Sequence, residues 1–186
     1  NGYARATNPL LAQRGDVISF SDAASCGTST AASLPCMFAK EGRADYQSGS
    51  YEENLLDVLQ RAGLAVLWLD NQSGCKGVCD RVPHSSTTAA KDPAYCASGE
   101  CMDAIMIARL DAEIAKLPPE RRAKGIVVVL HQMGSHGPAY FKRSPAAQKS
   151  FTPECKSNTL QDCPRQNIVN AYDNSIVYTD FVLNEG

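Results

Sequence analysis

Four hydroxyl side chains fall within six residues of the stretch SCGTSTAASLPCMF, residues 25–38. They are Ser25, Thr28, Ser29 and Thr30. Small residues follow them and predict the start of a helix, whose N-terminus offers unpaired N–H groups and a positive dipole end. Such a position suits a phosphate, or an oxygen nucleophile that attacks one. The structural alternative is that this loop only supplies an N-cap, for which Ser and Thr are preferred.

A second group of chemically capable residues is HQMGSHGP, residues 131–138, which holds two of the three histidines of the chain. Neutral imidazole is a common zinc ligand, and protonated imidazole pairs with phosphate. Gly134 and Gly137 allow tight turns here. The alternative is that His131 and His136 are two hydrogen-bonded loop residues, and the pattern alone favours neither reading.

Lys76 lies in the segment GCKGVC, where a loop lysine can act as a point charge for a phosphate. The alternative is an ordinary solvated lysine. The third histidine, His84, lies in a polar segment, VPHSSTT, that we interpret as a loop, and it is assigned no role.

Two apolar runs predict buried parallel strands at Gly63–Leu69 and Ile126–Leu130. Helices are predicted at 51–62, 102–117 and about 164–182, which together with the strands indicates an α/β layered domain with a parallel sheet. Because functional residues in such sheets gather beyond the carboxyl ends of the strands, we expect chemistry at 70–76 and 131–138.

The eight cysteines fall into four close pairs along the chain, which predicts four local disulfides. They are Cys26–Cys36, Cys75–Cys79, Cys96–Cys101 and Cys155–Cys163. The alternative, a zinc thiolate cluster, is disfavoured because the sequence contains no CxxC pair. Disulfides indicate an oxidising compartment, such as a periplasm or the cell exterior.

The composition is that of one globular domain: 186 residues, 44% hydrophobic and 20% charged. A net charge of −2 argues against nucleic-acid binding, which needs clustered Lys and Arg. No apolar run approaches the ~20 residues of a membrane span, and the polar start NGYARATNPL is unlike a signal peptide. We therefore expect a soluble chain, which can still be a piece of something larger.

Six stretches together resemble the periplasmic catalytic domain of lipid A phosphoethanolamine transferases, a family that includes the mobile colistin resistance enzymes within the alkaline phosphatase–sulfatase superfamily. They are NGYARATNPLLA, SCGTSTAASLPCMF, LDNQSGCKGVCDRVP, VVVLHQMGSHGPAYFKR, FTPECKSNTLQDC and NAYDNSIVYTD. They run in the family's order over nearly the whole chain. The resemblance implies an alkaline-phosphatase-like fold, layered α/β/α with a mainly parallel sheet.

The resemblance also implies an activity and its residues. Thr30 matches the nucleophile, which takes phosphoethanolamine from phosphatidylethanolamine and passes it to a lipid A phosphate, giving polymyxin and colistin resistance. Thr30 is also expected to bind zinc, which favours the alkoxide form of an otherwise weak nucleophile. Lys76 matches a phosphate-contacting lysine, and His136 matches a histidine that binds phosphate or a second metal.

The family's other zinc ligands are a glutamate shortly before NGYARATN and an Asp-His pair in a later SDHGES-type strand end, and residues 1–186 contain neither. We therefore interpret 1–186 as one partial catalytic domain, with weak zinc binding by itself, from the periplasmic part of a bacterial inner-membrane protein. Its membrane region lies outside this chain. Two rival functions remain: a phosphatase or phosphodiesterase that uses water, and an inactive module that binds lipid head groups.

Overall fold

The computed structural model describes residues 4–20, 22–47, 49 and 53–186. The helices in this part are α1 (Pro9–Gln13), α2 (Thr30–Phe38), α3 (Leu55–Arg61), α4 (Ala104–Ala115), α5 (Pro119–Arg122) and α6 (Arg165–Glu185). The strands are β1 (Ala65–Asp70), β2 (His84–Ser86), β3 (Cys96–Ala97), β4 (Glu100–Cys101) and β5 (Ile126–His131). Three short 3-10 helices lie at Tyr140–Lys142, Ala146–Gln148 and Leu160–Asp162.

The main sheet consists of parallel strands in the order β2-β1-β5. The central strand β1 is buried along its whole length, as its unbroken apolar run predicts. In register, Asp70 at the end of β1 pairs with Ser86 on one side and His131 on the other. Three polar residues therefore share the carboxyl edge of the sheet. Both predicted strands are present, although β1 begins at Ala65 rather than Gly63, and each ends one residue later than predicted, at this edge. The prediction that both are buried is confirmed for β1 and is wrong for β5, which is half-buried with Ile126 exposed.

The interpretation of His84 as a loop residue is wrong, because His84 begins β2. This strand has only three residues, and none of them is buried. No apolar pattern identifies it in the sequence. Backbone pairing with β1 creates it instead: Trp68 donates its N–H to Pro83 O at 2.9 Å, and Thr87 donates to Asp70 O at 2.8 Å.

The helix predicted at 51–62 forms over Leu55–Arg61, and residues 51 and 52 lie outside the described residues. Asn54 caps it, and Asp57 completes a capping box by accepting the Asn54 N–H at 2.8 Å. Arg81 then donates Nε to Asp57 Oδ1 at 2.9 Å. This hydrogen bond from Arg81 holds the pKa of the Asp57 carboxyl below its ordinary value.

Trp68 lies at the centre of the hydrophobic core beside β1 and has no exposed surface. The core cluster comprises Leu34, Leu56, Val66, Trp68, Cys75, Val78, Cys79 and Val82. It joins α2, α3 and β1 to the Cys75–Cys79 segment. Burial of each large apolar side chain stabilises the fold by roughly 1.5–3 kcal/mol. The loop that carries Lys76 is thus fixed to the core on both sides of the lysine.

The chain divides into two compact units. Unit 1 comprises the described residues within Asn1–Ser19, Lys91–Ile107 and Met133–Gly186, and unit 2 comprises those within Phe20–Ala90 and Ala108–Gln132. Unit 2 contains the three-stranded sheet, and unit 1 contains the β3–β4 hairpin and α6.

In unit 1, helix α6 is confirmed where a third helix is predicted, although it extends to Glu185. Its buried face is unusually polar. Asp173 pairs with Arg5 at 2.7 Å, and Asp180 accepts the backbone N–H groups of Leu10 and Leu11 at 2.8 and 3.0 Å. Asn174 accepts two further N–H groups, from residues 150 and 151. These bonds fasten the irregular segments of the unit to one long helix.

All four predicted disulfides are confirmed: Cys26–Cys36, Cys75–Cys79, Cys96–Cys101 and Cys155–Cys163. Each bridge closes a loop of ten residues or fewer. Short loops gain less from chain entropy than long ones, and these bridges also fix the shape of particular loops. Across the described residues, none of the helices combines the length and hydropathy that a membrane span requires.

Candidate functional site

Thr30 is the first residue of α2, at the end of the hydroxyl-rich loop. The hydroxyl groups of this loop make different hydrogen bonds. Ser29 is the N-cap, and its Oγ accepts the Ala32 N–H at 3.3 Å, while Ser25 donates its hydroxyl to Gly27 O at 2.7 Å. The structural and functional readings of the loop are therefore compatible, because Ser29 supplies the cap and leaves the Thr30 hydroxyl for other contacts.

The Thr30 hydroxyl faces Gln72, from the loop after β1, with 3.5 Å between Gln72 Nε2 and Thr30 Oγ1. The other end of the amide is occupied by Ser73, whose backbone N–H donates to Gln72 Oε1 at 2.6 Å. The Ser73 hydroxyl donates to the same oxygen. Because a backbone N–H pairs only with an acceptor, this contact directs the NH₂ group of Gln72 towards Thr30.

Asp70 organises the carboxyl edge of the sheet. One carboxylate oxygen lies 2.6 Å from His131 Nδ1, and the other accepts the Gly74 N–H at 3.0 Å. The edge of the Trp68 ring packs on the His131 imidazole with 5.5 Å between centroids. His131 is thus a strand-end residue that helps to hold the loop, and Asp70 links it to the segment that carries Gln72 and Lys76.

Lys76 lies in a turn of left-handed backbone, with φ of +54° at Lys76 itself and +83° and +90° at Gly74 and Gly77. The Cys75–Cys79 bridge closes this turn. The side chain is exposed, and its ammonium donates to Ser73 O at 2.5 Å and to Ser73 Oγ at 2.9 Å. Ser73 therefore contacts both Lys76, which is a predicted site residue, and the amide of Gln72, which contacts Thr30. The two side chains are positioned by the same residue.

His136 belongs to unit 1 and is exposed. Its Nδ1 donates to Gly137 O at 2.8 Å, so Nε2 is the ring nitrogen that is left to contact a ligand. The buried Arg143 supports the turn by donating Nε to His136 O at 2.9 Å, and it pairs with Glu100 at 2.7 Å. Buried Asp103 accepts the N–H groups of residues 133 and 134, both at 2.8 Å.

Sequence reasoning did not identify Gln72, Asp103 or Arg143 as site residues. For Gln72 a signal existed, because it lies in the loop that follows a predicted buried strand. Asp103 accepts backbone N–H groups about thirty residues away, and Arg143 pairs with the Glu100 side chain 43 residues away, relations that no local pattern reveals. Thr30 and Lys76 lie in unit 2 and are related through Gln72 and Ser73, whereas His136 is described within unit 1.

A cavity of about 370 Å³ opens in unit 2 between the 72–80 loop and the segment that begins with β2. Gln72, Ser73 and Lys76 line one side of it, and His84, Ser86 and Thr88 line the other. A volume of this size falls within the range of small-molecule sites. The cavity is therefore continuous with the loop that contacts Thr30.

A zinc site needs three or four convergent ligands. Among the described residues, one group of at least three His, Cys, Asp or Glu side chains has its ligand atoms close together: Cys75, Cys79 and Asp80. Its two sulfurs form a disulfide and are not thiolates. The Thr30 oxygen offers a single ligand. The described residues therefore do not compose a zinc site by themselves.

The family model described as Sulfatase matches residues 1–185. The chain belongs to the sulfatase family. The parallel sheet and its helices agree with the expected alkaline-phosphatase-like α/β fold of that family, of which this chain forms part of a domain.

Two curated relatives within the sulfatase family share nearly half of their aligned residues with this chain. Phosphoethanolamine transferase EptA of Escherichia coli strain K12 is 46% identical over 187 residues, which is all of this chain and 33% of that protein. Phosphatidylethanolamine transferase Mcr-1 of Escherichia coli is 44% identical over 188 residues, covering 97% of this chain and 34% of that protein. The chain thus spans about a third of the length of these relatives.

A solved structure agrees with the sequence comparison. The soluble domain of lipooligosaccharide phosphoethanolamine transferase A from Neisseria meningitidis superposes with a TM-score of 0.88 at 46% identity. The match covers 97% of this chain and 53% of that domain. The fold described above is therefore that of part of a sulfatase-family domain.

Proposed function

We propose that the protein containing this chain transfers phosphoethanolamine from phosphatidylethanolamine to a lipid A phosphate through a covalent intermediate on Thr30. The observation that carries the proposal is the placement of Thr30 at the N-terminus of α2 with the Gln72 amide directed at its hydroxyl. The names of the relatives support the donor, the transferred group and an acceptor of the lipooligosaccharide class. Resistance to polymyxin and colistin follows from this modification.

The proposed reaction has two displacements. In the first, Thr30 Oγ1 attacks phosphorus, a bond from phosphorus to Thr30 forms, and the bond to the diacylglycerol oxygen breaks. The Thr30 proton ends on diacylglycerol. In the second, an oxygen of the acceptor phosphate attacks the same phosphorus, the bond to Thr30 breaks, and Thr30 regains a proton. The free N–H groups of the α2 N-terminus favour the negative phosphoryl oxygens in both steps.

Three groups support this chemistry. Gln72 donates its NH₂ group to an oxygen on phosphorus or to the Thr30 oxygen. Lys76 turns its ammonium from Ser73 to the phosphate and neutralises charge. His136 contacts the phosphate through Nε2 or binds a second metal, as the resemblance implies.

Zinc is part of the proposal as the cofactor, with Thr30 and His136 as the ligands that this chain contributes. When bound, zinc would favour the alkoxide form of the threonine. The family's glutamate and Asp-His ligands have no counterpart within residues 1–186. We propose that 1–186 is part of one catalytic domain on the periplasmic side of the inner membrane, with the membrane region elsewhere in the protein.

The test uses the full-length protein with phosphatidylethanolamine. Intact-mass measurement should show phosphoethanolamine on the wild type and none on Thr30→Ala, while Thr28→Ala retains it. Diacylglycerol release should be faster with lipid A than without it. Equal release in both cases would indicate the hydrolase alternative, and binding without any release would indicate the inactive module. A Thr30→Ala protein that still becomes modified would place the nucleophile elsewhere.

A further inference from the structure

The wall of the unit 2 cavity opposite Lys76 is a cluster of polar groups that the proposed reaction does not use. His84 is exposed, and its Nδ1 donates to Val82 O at 2.9 Å, which leaves Nε2 for contact with an occupant of the cavity. Ser86 and Thr88 share a hydroxyl contact of 2.9 Å, and both are exposed. Three residues of different type therefore offer hydrogen-bonding atoms to whatever occupies the cavity.

The side of the cavity that carries Lys76 has charged groups of both signs. Lys76 and Asp80 line the cavity, and both are exposed. Trp68 also lines the cavity, but its side chain is fully buried, so the accessible hydrogen-bonding groups are those of the exposed residues.

This combination of groups favours one of the molecules in the proposed reaction as the occupant of the cavity. A sugar hydroxyl both donates and accepts hydrogen bonds, so it pairs with carboxylate, imidazole and hydroxyl side chains alike. Phosphoethanolamine carries one ammonium and no hydroxyl, and would leave the 84–88 wall unpaired. It is also small for a cavity of about 370 Å³. The lysine suits a phosphate on the occupant.

We propose that this cavity binds a phosphorylated sugar, namely the phosphorylated end of the acceptor, with the sugar against Asp80, His84 and Thr88. The proposal rests on the proposed function above. Gln72 lines the same cavity and reaches the Thr30 oxygen, so a phosphate bound between Gln72 and Lys76 is directed at the phosphorus carried by Thr30. The phosphate of the bound sugar is then the group whose oxygen attacks in the second displacement.

The experiment separates the two displacements in the full-length protein. Loading of Thr30 is followed by intact mass with phosphatidylethanolamine alone, and discharge is then followed after adding glucosamine 1-phosphate. We expect His84→Ala and Thr88→Ala to weaken discharge at subsaturating sugar phosphate at least fivefold more than they slow loading. The matched control is Thr159→Ala, an exposed threonine outside the cavity, which should discharge like the wild type.

Each other result overturns the assignment. Equal loss of loading and discharge in His84→Ala would mean that the cavity holds the donor. Wild-type discharge in both variants would mean that the sugar binds elsewhere. Inorganic phosphate that competes as well as glucosamine 1-phosphate would mean a phosphate site without a sugar subsite. A wild type that never loads Thr30 refutes the proposed function instead; binding of glucosamine 1-phosphate by calorimetry, lost in Thr88→Ala, then still tests the cavity.

Discussion

Asp70 and His131 are paired twice, through the backbone register of β1 and β5 and through a side-chain hydrogen bond of 2.6 Å. Both side chains are largely buried, with 8% and 13% of their surface exposed. The pair joins two strand ends at the position where the loop carrying Gln72 and Lys76 departs. A contact of this kind couples the stability of the sheet edge to the geometry of the site.

We expect this coupling to be measurable by a double-mutant cycle with Asp70→Ala and His131→Ala. Removing either partner leaves the other polar group buried without its bond, so each single variant should unfold more easily. The double variant should lose less than the sum, with an interaction free energy of about 0.5–3 kcal/mol from denaturant unfolding. Asp45→Ala, at an exposed position, is the control. Additive losses would show that the two side chains do not act as a pair.

Thr30→Ala and Ser29→Ala should separate activity from stability. Ser29 provides the cap, so Ser29→Ala should cost ~0.5–2 kcal/mol of unfolding free energy and keep measurable transfer. Thr30→Ala should keep the cap and the fold but form no phosphoenzyme. Denaturant unfolding and intact mass on both variants decide it, and a Thr30→Ala protein that loses stability like Ser29→Ala would contradict this division of roles.

Gln72→Glu tests the amide that contacts Thr30. The substitution keeps an acceptor for Ser73 but replaces the NH₂ group with a negatively charged oxygen that repels the phosphoryl group. Loading of Thr30 should slow at least tenfold, equivalent to ~1.4 kcal/mol of transition-state stabilisation. Gln161→Glu, at an exposed position, serves as the charge-matched control. Loading at the wild-type rate would remove Gln72 from the reaction.

The two histidines of the 131–138 segment, His131 at the end of β5 and His136 in the following turn, should behave differently. His136→Ala in the full-length protein should lower turnover at least tenfold, because its outward Nε2 is the proposed phosphate or metal contact. His131→Ala should mainly lower the melting temperature, because its ring holds the sheet edge. Turnover and melting temperature measured on both variants test this. The assignment fails if His131→Ala stops chemistry while melting like the wild type.

The Asp57–Arg81 pair predicts a pH dependence of stability. Arg81 lowers the pKa of Asp57 in the folded protein, so the pair stabilises the fold above the ordinary carboxyl value of about 3.9. That contribution is lost as pH falls through the lowered folded value. Arg81→Ala should therefore cost ~1 kcal/mol or less at pH 7, since the guanidinium is 46% exposed and screened by solvent. Unfolding curves at pH 7 and at strongly acidic pH should show the difference between variant and wild type shrinking towards zero.

The parts of this fold that bury apolar surface could be predicted from the sequence. β1 and β5 are identifiable as unbroken apolar runs, although β1 is fully buried and β5 only half-buried. The spacing of the cysteines indicates their pairing. The strand that contains His84 could not be predicted, because it is formed by backbone pairing with β1 and presents polar residues to solvent. Its existence depends on a neighbour that is distant in sequence.

The site divides in the same way. Thr30 and Lys76 are identifiable because their roles depend on short motifs with unusual composition. Gln72 differs, because its role depends on which end of its amide Ser73 occupies, and only coordinates reveal that. Asp103 supports the 133–134 backbone from a segment thirty residues earlier, a relation that hydrophobic periodicity does not encode.

The disulfide pattern has a consequence for biosynthesis. Every cysteine is bonded to a neighbour in the order in which the cysteines are made, first with second and third with fourth through to the last pair. If the chain enters an oxidising compartment N-terminus first, each cysteine emerges next to its own partner, with at most nine residues between them. An oxidant that simply joins consecutive thiols then produces the native set, so maturation needs no later reshuffling by an isomerase.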